Sequence, residues 1–214
     1  MTPLPCPAPD TALLYLVRHG ATANNVARPA RLQGRATDLP LSPDGERQAA
    51  ETANFLSNDQ IAAVYSSPLL RAVQTAESIA LAHGLPPARL DDLIECDIGR
   101  WEGRSWEEIE ASEPEAFRLF TADPATNPYA GGENLEQVHA RVAPAIDRLL
   151  TNSAGKAIVV VAHNVVNRAY LAQYMNLPLS RARTIPQHNC GISLLSSQSG
   201  VVKLVTLNSI FHLS

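Results

Sequence analysis

Two short, unbroken apolar runs constrain this chain most: LLYLV at residues 13–17 and AIVVVA at residues 157–162. Each is too short for a typical helix. Neither alternates apolar with polar residues, so each reads as a strand covered on both faces, the pattern of a parallel sheet packed between helices. Both runs stop abruptly at polar residues, Arg18-His19 after the first and His163-Asn164 after the second. Such groups at the end of a buried strand must find partners or cost stability.

Helical signals separate the runs. In LSPDGERQAAETANFL, Ser42 is placed to cap and Pro43 suits the first helical position. Residues 61–65 read as a second strand. SSPLLRAVQTAESIALAHG then offers Ser67 as cap, Pro68 as first residue and Gly84 as stop. RLDDLIE is expected to add a short edge strand. Ser105-Trp106-Glu107-Glu108 forms a capping box, and Pro114, Pro124 and Pro128 break the next stretch of chain into short pieces. Residues 101–132 therefore read as an insertion over one end of the sheet. A helix resumes over 134–150, with Pro144 expected to kink or break it. Another runs over 164–174, and GISLLSSQSGVVKLVTL closes the chain as a hairpin. The expected fold is α/β: a three-layer α/β/α sandwich with a mostly parallel central sheet and a small helical and loop insertion capping the site. Residues 1–12 are expected to be a flexible lead-in, and 13–214 a single domain.

Composition narrows the function. The chain has 214 residues, 45% hydrophobic and 18% charged, as in globular proteins. Its net charge of −4 argues against nucleic acid as partner. Cys6, Cys96 and Cys190 are odd in number and include no CxxC pair, so no disulfide framework is expected and a reducing, cytoplasmic setting is implied. No apolar run is long enough to span a membrane. MTPLPCPAPD lacks the basic and apolar segments of a signal peptide.

In sheets of this kind ligands bind beyond the carboxyl ends of the strands. Three polar stations fall there: Arg18-His19-Gly20, Ser66-Ser67-Pro68 with Arg71 shortly after, and His163-Asn164. A cation in the first turn of a helix opposes the macrodipole, so Arg71 makes sense where helix and arginine share an anion. Arg18 adds a second planar fork suited to phosphate or carboxylate. Two arginines and two histidines around one crevice describe a phosphate pocket. Other phosphate chemistries lack their motifs: there is no G-x-x-x-x-G-K-[ST], no G-x-G-x-x-G, no cysteine followed six residues later by arginine, and no HExxH.

The blocks RHGATANN, QGRATDLPLSPDGERQA, YSSPLLRAVQTA, ECDIGRWEG, GGE and VAHNVVNR occur in this order. Together they resemble the histidine phosphatase superfamily, also called phosphoglycerate-mutase-like, from about Leu13 to Ser196. The resemblance implies that His19 is a nucleophile that becomes phosphohistidine. It implies that Arg18, Arg71 and His163 surround the phosphoryl oxygens, with Asn25 a further contact. Glu95 matches the general acid of the branch with E-x-x-x-G-x-x-E-G, met here by Glu95, Gly99, Glu102 and Gly103. Asp97 and Glu102 are expected near it, helping burial to raise its pKa. His19 needs an acceptor on its other ring nitrogen, and a carbonyl near the Gly20 turn can supply one.

The family often has glycine where Asn164 stands, which gives Asn164 either a substrate contact or a cap to the following helix. Gln33 and Gly34 match a segment that approaches substrate. Trp101 and Trp106 either line the pocket or pack the insertion. Arg28, Arg31, Arg35 and Arg104 form a candidate basic rim, and His188 a candidate rim residue. Cys190 reads as a small buried residue. The chain is expected to be a metal-independent phosphomonoesterase of the phosphatase branch, without a cofactor, acting on a small phosphorylated metabolite as a monomer or homodimer away from membranes. The alternatives are a cofactor-dependent phosphoglycerate mutase and a non-catalytic phospho-ligand-binding module.

Overall fold

The computed structural model describes residues 7–213. Six strands form one sheet: β1 (Thr11–Arg18), β2 (Ile61–Ser66), β3 (Ala88–Arg89), β4 (Ala157–Ala162), β5 (Ile192–Gln198) and β6 (Val201–Ser209). Their order is β3-β2-β4-β1-β5-β6. The β3-β2, β2-β4 and β4-β1 pairs are parallel, whereas β1-β5 and β5-β6 are antiparallel. The helices are α1 (Ala23–Val26), α2 (Pro43–Leu56), α3 (Leu70–Ala82), α4 (Trp106–Ser112), α5 (Pro114–Ala122), α6 (Leu135–Thr151) and α7 (Asn164–Tyr174).

The two apolar runs lie side by side at the centre, in the register Leu13↔Ala157 through Arg18↔Ala162. Alternation along each strand feeds two cores. Leu14, Leu16, Ile158 and Val160 pack on one face with residues of α6, α7 and the inserted segment. Tyr15, Val17, Val159 and Val161 pack on the other, with residues of α2 and α3. The four branched residues of β4 are at most 1% exposed, and burying each is worth about 1.5–3 kcal/mol.

Local signals held in several places. Ser42 accepts from Gly45 N–H with Pro43 in the first turn of α2, and Ser105 forms its capping box on α4. Elsewhere long-range contacts took precedence. β1 begins at Thr11, two residues early, while residues 1–6 of the expected lead-in lie outside the described residues. α3 begins at Leu70, later than expected, and Ser67 Oγ is shared between Leu69 N–H (3.3 Å) and His163 Nε2 (2.7 Å). The edge strand is only Ala88–Arg89, overlapping the expected segment at its first residue, and Asp91–Leu93 within that segment forms a 3₁₀ turn. Pro144 does not break α6, which continues to Thr151. Leu135, Val138, Val142, Ile146 and Leu150 bury its inner face, enough to offset the roughly 3 kcal/mol that an internal proline costs.

The inserted segment is built on aromatic rings. Trp101 is fully buried and meets Phe120 edge-on at 5.4 Å and Tyr129 at 5.9 Å. Trp106 stacks on Phe120 at 5.8 Å. Edge-to-face and offset pairs of this kind add about 0.5–1.5 kcal/mol each beyond area burial.

Candidate active site

The parallel register brings the ends of β1, β2 and β4 together, and the ladder continues one residue past them. His19 N–H donates to the Ala162 carbonyl (3.0 Å) and Ser67 N–H to the Val161 carbonyl (3.0 Å). The backbone thereby fixes His19, Ser67 and His163 next to one another, and the two imidazoles lie 5.1 Å apart. Gly20 and Gly45 let the start of α2 press against the loop after β1. A Cβ on Gly45 would fall 2.0 Å from the Ala21 carbonyl oxygen, and one on Gly20 would fall 2.5 Å from the Gly45 carbonyl oxygen.

His19 Nδ1 donates to the Gly20 carbonyl at 2.7 Å, the acceptor expected from the sequence. The Nε2 lone pair is thus left available, and Arg71 Nε donates to it at 3.2 Å. Burial holds the His19 imidazole well below its ordinary pKa, and the Arg71 and Arg18 charges push the same way, so the ring is neutral at pH 7. His163 is fully buried and is held low chiefly by burial, with Arg71 adding to it.

Arg71 is fully buried. It spends its other donors on the Thr37 carbonyl (3.1 Å) and the Gly34 carbonyl (3.0 Å). Arg18 donates to the Gln187 carbonyl at 2.7 Å, and its buried Nε has no partner among the described residues. Burial lowers Arg18 to about 10, still charged at neutral pH. Among the described residues neither arginine is ion-paired to a carboxylate.

Glu95 is 3% exposed and stands at the N-terminus of α7. Its Oε1 accepts from Cys96 N–H (2.9 Å) and Val166 N–H (3.3 Å), and its Oε2 from Val165 N–H (3.2 Å). The net effect raises its pKa, with burial the largest influence. The amide bonds and the Arg71 and Arg141 charges oppose it. The expected help from Asp97 and Glu102 is absent, because each is engaged elsewhere. Asp97 pairs with Arg35 at 2.6 Å, and Glu102 accepts from Gly34 and Thr37 N–H.

A cavity of about 320 Å³ opens over this cluster, and His19, Arg18, Asn25, Gln33, Glu95 and Asn164 line it. Asn164 is the first residue of α7 and does not cap it. Glu95 takes the first amides instead, and Asn164 Oδ1 is buried without a partner among the described residues. Asn25 Oδ1 accepts from Thr22 N–H (3.1 Å) and Asn189 Nδ2 (3.2 Å). Gly34 does not line the cavity. Its carbonyl holds Arg71, and a Cβ there would strike Cys96, Ile98 and Glu102. Trp106 lines the cavity while Trp101 packs the insertion.

The basic rim differs from expectation. Arg31 lines the cavity but faces Glu108 at 3.4 Å, and Arg104 pairs with Glu113 at 2.6 Å. Arg28 bonds its neighbouring carbonyls, and exposed His188 pairs with Asn208. Sequence reasoning missed Arg168, Arg183, Tyr129 and Asn189, all of which line the cavity. Arg168 lies four residues after Asn164, on the same face of α7, which was the available signal. Arg183 sits in a 3₁₀ turn, Leu179–Thr184, whose position depends on tertiary contacts.

An α/β sheet whose carboxyl end holds a neutral imidazole, two arginines without carboxylate partners and a buried carboxyl group is equipped for phosphoryl chemistry. The model of the histidine phosphatase superfamily (branch 1) matches residues 14–210. Phosphoserine phosphatase 1 of Hydrogenobacter thermophilus is 33% identical over 200 residues, covering 94% of this chain and 93% of that one. Among solved structures, a phosphoserine phosphatase from Entamoeba histolytica in complex with 3-phosphoglyceric acid has a TM-score of 0.85 at 27% identity, covering 95% of this chain and 100% of the other. Bacillus stearothermophilus YhfR has a TM-score of 0.87 at 28% identity, with the same coverages of 95% and 100%. The chain belongs to the histidine phosphatase superfamily, and within it to the phosphomonoester hydrolases. Among the described residues no helix is long and apolar enough to cross a membrane.

Proposed function

We propose that the chain hydrolyses a small phosphorylated metabolite without a metal, through a phosphohistidine on His19. The observation that carries this reading is the buried pair at its centre. Arg71, ion-paired to no carboxylate among the described residues, donates to an Nε2 lone pair whose ring is held neutral and fixed through Nδ1. A buried guanidinium without a carboxylate partner is costly until an anion joins it. A phosphoryl group set there meets both the charge and the nucleophile.

In the first step His19 Nε2 attacks phosphorus in line and the bond to the leaving oxygen breaks. Arg18 and Arg71 neutralise the equatorial oxygens. Ser67 Oγ, 2.7 Å from His163 Nε2, also accepts from Leu69 N–H at 3.3 Å. We assign the Ser67 hydroxyl as donor to Nε2, its one recorded acceptor among the described residues, which leaves the unpartnered His163 Nδ1 as an N–H donor for the phosphoryl group. Glu95 Oε2 accepts one amide where Oε1 accepts two, so Oε2 has room for the proton that the leaving alkoxide takes. The resulting carboxylate then takes a proton from water as water attacks the phosphohistidine, and His19 is released.

Phosphoglycerates, phosphoserine, sugar phosphates, nucleoside monophosphates and α-ribazole phosphate are the substrates to compare. Phosphoserine is the first ester to try, because two similar proteins are named phosphoserine phosphatases. Free, buried Cys96 and Cys190 suit a reducing, cytoplasmic setting. The test is phosphate release from the panel with EDTA present, scored by kcat/KM. The expected result is release that EDTA does not affect. Rapid isomerisation of 3-phosphoglycerate with little release would replace the hydrolase with a mutase.

A further inference from the structure

The cavity carries more positive charge than one phosphate ester requires. Arg71 and Arg18 are the guanidiniums that act on His19, and two charges balance a phosphomonoester dianion. Arg168 and Arg183 line the same cavity and both act on Tyr129, at the aromatic insertion, with Arg168 also close enough to act on Arg18. Each is held in place without being neutralised. Arg168 Nε donates to the Ile185 carbonyl at 2.7 Å, leaving its terminal nitrogens without partners among the described residues. The Arg183 guanidinium lies 4.6 Å from the Trp106 ring centroid and 5.1 Å from that of Phe120. Such stacking orients a guanidinium and leaves its in-plane donors free.

Among the described residues neither Arg168 nor Arg183 has a carboxylate partner, whereas Arg31, Arg35, Arg104 and Arg141 do. Among those residues Glu95 is also the sole acidic one lining the cavity, and a Glu95 that acts as the acid is neutral when substrate binds. Two guanidiniums lining one cavity without a carboxylate partner repel one another, and a bound anion relieves that repulsion.

We propose that the substrate carries a second anionic group, a carboxylate or a second phosphoryl, seated on Arg168 and Arg183 while the ester phosphate sits at His19. This rests on the hydrolase reading and names the substrate class within it. A cavity of about 320 Å³ is at the small end of ligand sites, so the two anions are separated by only a few bonds. The planar forks of Arg168 and Arg183 make each a bidentate partner for either group.

Two matched pairs test this with the full chain. O-phosphoserine against O-phosphoethanolamine isolates a carboxylate. Propane-1,3-diol bisphosphate against 3-hydroxypropyl phosphate isolates a second phosphoryl. In at least one pair the doubly anionic ester is expected to have a kcat/KM at least about tenfold higher, the worth of a charged hydrogen bond. Arg183→Gln is expected to cut that preference by about tenfold and Arg183→Lys to restore part of it, because lysine keeps the charge but not the fork. The wild-type comparison decides the matter even if a variant folds poorly. Hydrolysis of all four esters with no such preference, or a preference untouched by Arg183→Gln, overturns the second-anion proposal alone. No phosphate from any ester overturns the hydrolase reading beneath it.

Discussion

Replacing Glu95 with glutamine separates proton donation from everything else the site does. Glutamine keeps the shape, and its oxygen can still accept from Cys96 and Val166 N–H, as Oε1 does now. Its amide nitrogen then faces Val165 N–H, which loses its acceptor at 3.2 Å. One unsatisfied buried donor costs about 1–3 kcal/mol. At about 2–4 °C per kcal/mol for a chain of this size, the folded protein survives with a melting point a few degrees lower. The kinetic effect depends on the leaving group. A general acid is worth about 10²–10⁴-fold, or about 3–5 kcal/mol of barrier. An alkyl phosphate such as phosphoserine needs it; p-nitrophenolate leaves without it. In Glu95→Gln, kcat/KM should therefore fall by about 10²–10⁴ for alkyl phosphates and by about tenfold at most for p-nitrophenyl phosphate. The pH profile supplies the sign. Burial raises the Glu95 pKa, so the required acid form is full at low pH and is lost as pH rises through that raised value. Wild-type kcat/KM on alkyl phosphates should decline on the alkaline side, and Glu95→Gln should remove that decline. Equal losses on both substrate types, with the alkaline limb intact, would refute Glu95 as the acid.

Two other substitutions probe the frame. Ser67→Ala frees His163 to change tautomer, so kcat should drop by about tenfold, the worth of one hydrogen bond of about 1.4 kcal/mol. Circular dichroism should show the fold unchanged, and an unaltered kcat would remove Ser67 from the positioning network. Gly45→Ala drives a Cβ into the Ala21 carbonyl; a loss of about 3 kcal/mol or more, the upper end for overpacking, should appear in urea unfolding, together with lost turnover as the loop carrying His19 shifts.

Much of the site could be read where chemistry and local pattern coincide. β1 and β4 are short apolar runs, and their first polar residues, Arg18-His19 and His163, lie where the register of a parallel sheet must bring them together. The carbonyl acceptor for His19 could be anticipated because an imidazole poised to attack needs one. What escaped the sequence was set by long-range competition. Ser67 has the look of a helix cap, yet its hydroxyl is shared between Leu69 N–H and His163 at 2.7 Å on the neighbouring strand end, and α3 starts later. Asn164 looks like a cap, yet Glu95 supplies a buried carboxylate that accepts two amides of the same turn. The surface arginines 35 and 104 looked like a rim until the fold gave them Asp97 and Glu113. The unpaired charge lies on Arg168 and Arg183, whose freedom shows only when every carboxylate has been assigned.

A covalent bond between His19 and phosphorus is the centre of the proposed mechanism. It is measured by quenching Glu95→Gln during turnover of p-nitrophenyl phosphate, where slow hydrolysis lets the intermediate accumulate, and mapping the phosphate by mass spectrometry and ³¹P NMR. The result predicted is a stoichiometric, acid-labile and alkali-stable phosphate on His19 Nε2, because Nδ1 is committed to the Gly20 carbonyl, and no label in His19→Ala. Label on another residue, label that survives His19→Ala, or turnover in His19→Ala at the wild-type rate would contradict it.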